Sequence, residues 1–188
     1  MDFQELLIKR RSVRNFQKKE IPIEVILEII RETCMAPSAR HSQPWKFIVI
    51  NDRDMIKKLS DESKRNLLAE IAETPDSPHK IYEEALKNER FSVFWNAPCL
   101  IVIYGPKEHD FLDCDCSLAA AYLMFSATEK GLGTCWIGLG GHIENPELRK
   151  KIGLTDEDRI VAPIILGYPK NIPEPRERKE PDVAIISS

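Results

Sequence analysis

No apolar run in this 188-residue chain approaches the roughly 20 residues that a bilayer crossing needs. The longest, PCLIVIY from Pro98 and IVAPIILGY from Ile160, have the length of buried strands. Neither sign of charge dominates. The 27 Lys and Arg against 30 Asp and Glu give a formal net charge of −3, which argues against chain-wide attraction to nucleic acid or acidic lipid, so any anion site must be local. The N-terminal MDFQELLIKRR has no apolar core followed by a small-residue cleavage site, and a cytoplasmic location is expected. Five cysteines, an odd number without an export signal, favour reduced thiols over a disulfide framework.

Signatures of hydrolytic and metal chemistry are also missing. His41, His79, His109 and His142 are scattered singly, no two at a chelating spacing on one helix, and there is no G-x-S-x-G elbow. Cys114 and Cys116 in DCDCS would lie about 200° apart around a helix and cannot chelate one ion there. Cys34, Cys99 and Cys135 sit among apolar neighbours as core thiols. The glycine-rich GLGTCWIGLGG, Gly131 to Gly141, is neither the dinucleotide fingerprint nor a P-loop. No metal is expected.

What is present, 43% hydrophobic and 30% charged residues, describes one globular domain over 1–188 with no internal repeat or dividing linker. Phe3, Leu6 and Leu7 predict a short first helix; Ile26, Ile29, Ile30 and Thr33, between Pro22 and Pro37, predict a second. Trp45 to Ile50 reads as a strand. Asp52 to Glu73 has helical spacing with a solvated polar face, and Thr74 to Lys80 opens a loop that is a candidate lid. Pro98 to Gly105 predicts a buried strand, Leu112 to about Lys130 a helix apolar almost all round, Pro146 onward a short helix, and Arg159 to Gly167 another strand. The proline-bearing tail 169–188 cannot fold on itself, so it either frays or lies on something else.

Three stretches hold candidate binding groups. In KRRSVRNF, Arg10, Ser12 and Arg14 alternate, so in extended backbone they face one way and Arg11 the other. Two guanidinium forks and a hydroxyl match a phosphate; cations at a helix end also offset its dipole, and both readings stand on local grounds. APSARHSQPWKF, Ala36 to Phe47, concentrates Ser38, His41, Ser42 and Gln43 between two prolines, as ligand-binding or turn-capping groups. The glycines of 131–141 permit turns or let backbone amides approach a flat ligand.

Taken in order, RRSVRNF, APSARHSQPWKFIVI, APCLIVI at 97–103, AAAYLMFSATEKGLGTCWIG at 119–138 and IVAPIILGYP followed by the basic PRERK resemble the nitroreductase family of flavoproteins over nearly the whole chain. The resemblance implies an α+β fold, a central, mostly antiparallel sheet wrapped by helices, in an intertwined homodimer with tail 169–188 packed on the partner. It implies one FMN at each end of the interface. By position, Arg10, Arg11, Ser12, Arg14, Arg176 and Arg178 would serve the phosphate. Pro37, Ser38, Ala39 and His41 would come from the partner chain, and Ile137, Gly138 and Leu139 would lie along the flavin ring. NADH or NADPH would be the reductant and a nitroaromatic or quinone the acceptor, in turn in one cleft, with no catalytic side chain. Relatives that dehalogenate or break down flavin, and a non-catalytic flavin- or nucleotide-binding dimer, are the alternatives. His41 departs from the family pattern, standing where P-S-x-x-N-x-Q-P-W has Asn.

Overall fold

The computed structural model describes residues 1–186. Ser187 and Ser188, the end of the expected tail, lie outside the described residues. Asp2 caps the first helix, α1 (Phe3–Lys9), by accepting a hydrogen bond from the Glu5 amide at 2.8 Å, and the chain turns extended at Arg10. Helix α2 (Ile23–Thr33) buries Ile26, Ile29 and Thr33, as their spacing predicts. Strand β1 (Lys46–Ile50) leads to α3 (Arg53–Glu73), capped by Asp52. A 3-10 turn (Pro78–Tyr82) and α4 (Glu83–Lys87) precede β2 (Cys99–Pro106). Then follow α5 (Leu112–Glu129), β3 (Gly133–Trp136), a second 3-10 turn (Gly138–Gly141), α6 (Pro146–Lys151) and β4 (Asp158–Gly167).

The four strands form one sheet in the order β1-β2-β4-β3, every neighbouring pair antiparallel. Alternation along β2 divides the core. Cys99, Ile101 and Ile103 face α2 and α5, meeting Ile26, Ile29, Ala119 and Leu123, while Leu100 and Val102 face α3, meeting Leu59, Leu67 and Phe94. Both faces are covered, so β2 and β4 read as continuous apolar runs. Burial pushes the Cys99 and Cys116 thiols up to about 12, which leaves them inert core groups. Cys116 is buried and Cys114 exposed, on opposite sides of α5. All five cysteines are free thiols. Among the described residues no helix is long and apolar enough to cross a membrane.

Two expectations need correction, and one element had no signal of its own: within the glycine-rich stretch, Gly133–Trp136 is the edge strand β3, paired with Ile164 to Gly167. Its pairing supplies the order that four residues cannot signal alone. The polar face of α3 is not simply solvated, because Ser60, Glu62, Ser63 and Lys64 are buried beneath the 74–96 segment and the turn after β3. That segment is more than a loop. Its 3-10 turn and α4 pack on α3, with Leu86, Val93 and Phe94 fully buried.

Candidate functional site

Beyond α1 the backbone runs extended and is tied to the sheet edge. Ser12 makes a parallel bridge with Thr134 of β3, and the Val13 amide donates to the Thr134 carbonyl at 2.9 Å. Val13 is buried against Gly133, where a β-carbon would come within 2.7 Å of its methyl group. Period two then turns Arg10, Ser12 and Arg14 away from the core. Next, Phe16 bridges to Pro169, the Gln17 amide donates to the Tyr168 carbonyl at 2.8 Å, and the Lys170 amide donates to the Asn15 carbonyl. The tail thus starts alongside the arginine segment. It brings Pro173, Glu174, Arg176 and Arg178 to a recess of about 410 Å³ that Arg10, Arg11, Ser12 and Arg14 also line.

Positive charge in this recess is not neutralised by the protein. Among the described residues none of its five arginines forms an ion pair, and Glu174 is the one carboxylate lining it. Burial, then Arg11 and Arg178, lower the Arg10 pKa, the sign of cations crowded together. Arg11 does not simply face the other way. It lines the recess and also a second groove beside Val13 and Leu132, and its buried Nε has no partner among the described residues.

Arg14 also lines a larger cavity of about 670 Å³. Ile137, Gly138 and Leu139 form one wall, held by the Ile137 amide donating to the Pro163 carbonyl at 2.9 Å and by the Ser63 hydroxyl donating to the Leu139 carbonyl. Apart from its own chain neighbours, no atom of the described residues lies within 4 Å of where a Gly138 β-carbon would stand, so its backbone is open to a ligand. The 74–96 segment supplies Tyr82, Phe91 and Trp95, and Trp136 at the end of β3 adjoins Ile137. Trp95 stands edge-on to Phe91 at 5.8 Å and beneath the Arg14 guanidinium, 5.7 Å from its ring centre. Trp95 and Asn96 adopt φ of 54° and 53°, left-handed backbone that side chains rarely take and that folds retain chiefly at working sites.

Pro37, Ser38, Ala39 and His41 line neither cavity of their own chain. Their loop is nevertheless built with care. Arg40, His41 and Gln43 all have positive φ, and buried Asp115 accepts from the Ala39 amide at 2.9 Å and from the Ser42 hydroxyl at 3.3 Å. His41 is exposed, with Nε2 3.0 Å from Gln43 Nε2. At φ 55° the Asn of the family pattern and His are among the side chains that tolerate this region best.

Sequence reasoning missed Asp115 and the aromatic wall. The run FSVFWN before β2 was the available signal for Phe91 and Trp95. It also missed that Glu70, His79 and His142, far apart in sequence, gather at the edge of the larger cavity.

The family model described as the nitroreductase family matches residues 7–168, and the chain belongs to that family. Among its relatives, the NAD(P)H nitroreductase homologue YfhC of Bacillus subtilis (strain 168) is 29% identical over 179 residues, covering 93% of this chain and 88% of YfhC. Iodotyrosine deiodinase 1 of Homo sapiens is 28% identical over 187 residues, covering 89% of this chain and 61% of the human protein. The crystal structure of a nitroreductase with bound FMN from Bacteroides fragilis NCTC 9343 superposes with a TM-score of 0.84 at 23% identity, over 98% of each chain.

Proposed function

We propose that the protein is an FMN-dependent oxidoreductase that takes hydride from NADH or NADPH and passes electrons to an electron-poor aromatic acceptor, a nitroaromatic or quinone, as a homodimer. The observation that carries this reading is the junction of the two cavities at Arg14. A recess of unneutralised guanidinium groups adjoins a larger space walled by aromatic rings and open glycine backbone. A phosphate dianion on a flat heterocycle fits both halves, and the partnerless Arg11 Nε and lowered Arg10 pKa mark charge that an anion would answer.

Arg10, Ser12, Arg14, Arg176 and Arg178 hold the phosphate, with Arg11 supporting the set from its shared wall. Ile137, Gly138 and Leu139 flank the ring with backbone. When bound, FMN supplies the two-electron chemistry. The chain's own part is to fix the ring, to line the open space with Tyr82, Phe91 and Trp95, and to keep water from the reacting face. The scheme assigns no side chain as acid or base.

A second copy is supported by apolar side chains that this chain leaves uncovered. Leu27 on α2 and Leu118 and Tyr122 on α5 are each more than 40% exposed. In a dimer Pro37, Ser38, Ala39 and His41 reach the partner's cofactor. The tail expected to pack on the partner over 169–188 instead begins on its own chain, where Pro169 and Lys170 pair with Phe16 and Asn15, and we propose that only the part beyond Arg178 lies on the partner. Reductive dehalogenation of a halogenated phenol is the second reading, favoured by the similarity to iodotyrosine deiodinase 1.

The test begins with the purified protein: visible flavin absorbance and release of FMN on denaturation are expected. Anaerobic NADH or NADPH should then bleach the flavin, and a quinone or nitroaromatic should restore it. A flavin that neither nucleotide bleaches, yet that dithionite reduces and 3-iodotyrosine reoxidises, would transfer the assignment to the dehalogenase reading.

A further inference from the structure

Glu70 of α3, His79 of the Pro78–Tyr82 turn and His142 just after the second 3-10 turn each offer one ligand atom, all within 4.8 Å of one another. His79 Nδ1 lies 2.9 Å from Glu70 Oε1, and His142 Nδ1 lies 3.9 Å from Glu70 Oε2. The two imidazoles meet edge-on at 5.1 Å. All three side chains are partly exposed, so an ion can enter from solvent. Two imidazole nitrogens and a carboxylate oxygen are the donor set of open zinc sites, whose fourth position is left to water or ligand.

The supporting shell is also present. Buried Ser77 donates from its hydroxyl to Glu70 Oε1 at 2.7 Å and accepts from the His79 amide at 3.1 Å, which fixes carboxylate and turn together. Asn66 donates to the His142 carbonyl at 2.9 Å, which anchors the third ligand's backbone to α3. Ligating groups are typically oriented by such outer partners. Tetrahedral bonds of about 2.0 to 2.1 Å set ligand atoms about 3.3 Å apart, so small side-chain rotations would close the set.

We propose that Glu70, His79 and His142 form a binding site for a divalent ion of the Zn²⁺ class, which fastens the 74–96 segment to α3 and to the turn that carries Leu139. His79 also lines the larger cavity, so the ion acts as a removable pin beside the route of any molecule entering it. This inference does not depend on which acceptor the enzyme reduces.

The test is a Zn²⁺ titration of chelator-treated holoprotein against a chromophoric indicator. One ion per chain is expected, with Kd on the order of 1 µM for three protein ligands. His79→Gln and His142→Gln should each weaken it at least about 100-fold, and Glu70→Gln by a similar factor. Co²⁺ in the unmutated protein should give d–d absorption without a thiolate charge-transfer band, a readout that requires no variant to fold. Zn²⁺ should slow proteolysis within 74–96 in the parent and not in the variants. Equal affinity in the His79→Gln/His142→Gln protein, a thiolate band with Co²⁺, or no binding below about 100 µM would each overturn the proposal. None of these readouts uses flavin reduction, so this site and the proposed oxidoreductase activity can fail separately.

Discussion

Around the recess, Arg10, Arg11, Arg14, Arg176 and Arg178 have no carboxylate partner among the described residues, whereas beneath the 74–96 segment the charges that α3 buries are answered by the chain itself. Lys64 donates to the Asn88 carbonyl at 2.8 Å and to that of Phe91 at 3.1 Å. Glu62 accepts from Asn66 at 3.0 Å and from the Asn145 amide at 2.9 Å, and pairs with Arg65. Both regions are charge-dense and lie close to the same cavity. A buried charge whose partners are internal holds elements together. A cluster of one sign left without partners costs stability until something from outside answers it.

That contrast can be broken by mutation, most sharply at the arginines. Replacing Arg10 and Arg14 together by Ala should weaken FMN binding at least about 100-fold, since charge-assisted hydrogen bonds contribute about 1.5 to 3 kcal/mol each. The melting temperature of the flavin-free protein should hold or rise, because like charges are removed. A flavin titration and a thermal melt decide it: lost stability with unchanged affinity would make these arginines structural.

Gly133→Ala probes the same region through the backbone. The added methyl overlaps Val13, and relief requires moving the arginine segment off β3. A loss of about 1 to 3 kcal/mol in urea unfolding is expected, as for other overpacked cores, together with weaker FMN binding. Lys64→Met should do the reverse of the arginine pair. Leaving the Phe91 carbonyl unanswered, and the Asn88 carbonyl with the Phe91 amide as its remaining donor, should cost about 1 to 3 kcal/mol of unfolding free energy with flavin affinity unchanged.

The smallest effect concerns acid. Burial alone would raise the Asp158 pKa, but the Thr155 hydroxyl and amide and the Lys46 ammonium outweigh it and hold it below its ordinary 3.8. A carboxylate lowered in the folded state stabilises fully above its unfolded value and loses that contribution as pH falls through the folded one. Asp158→Asn should therefore flatten the fall in melting temperature below about pH 4, relative to the parent.

The parts legible in the sequence were those fixed by short-range periodicity. Alternation of Arg10, Ser12 and Arg14 predicted a shared face because Val13 between them must enter the core. The helical spacing in α2 and the apolar runs of β2 and β4 placed the sheet and its cover for the same reason. Illegible parts depend on distant neighbours. Gly133–Trp136 becomes a strand only because β4 lies beside it, and the polar face of α3 is buried only because the 74–96 segment folds over it. Glu70, His79 and His142 carry no common spacing, since three separate elements deliver them. Arg11 resisted a single assignment because its long side chain lines two grooves at once.

The bridge between Ser12 and Thr134 has a mechanical corollary. The arginine segment hangs from β3, the tail continues from β4, and those strands are neighbours in the sheet. On the proposed assignment, a phosphate gripped by Arg10 and Arg178 would work as a clasp joining the two ends of the polypeptide across adjacent strands. Once it is fastened, fraying from either end must first release the ligand, so both ends should gain protection from hydrogen exchange in step as the recess fills.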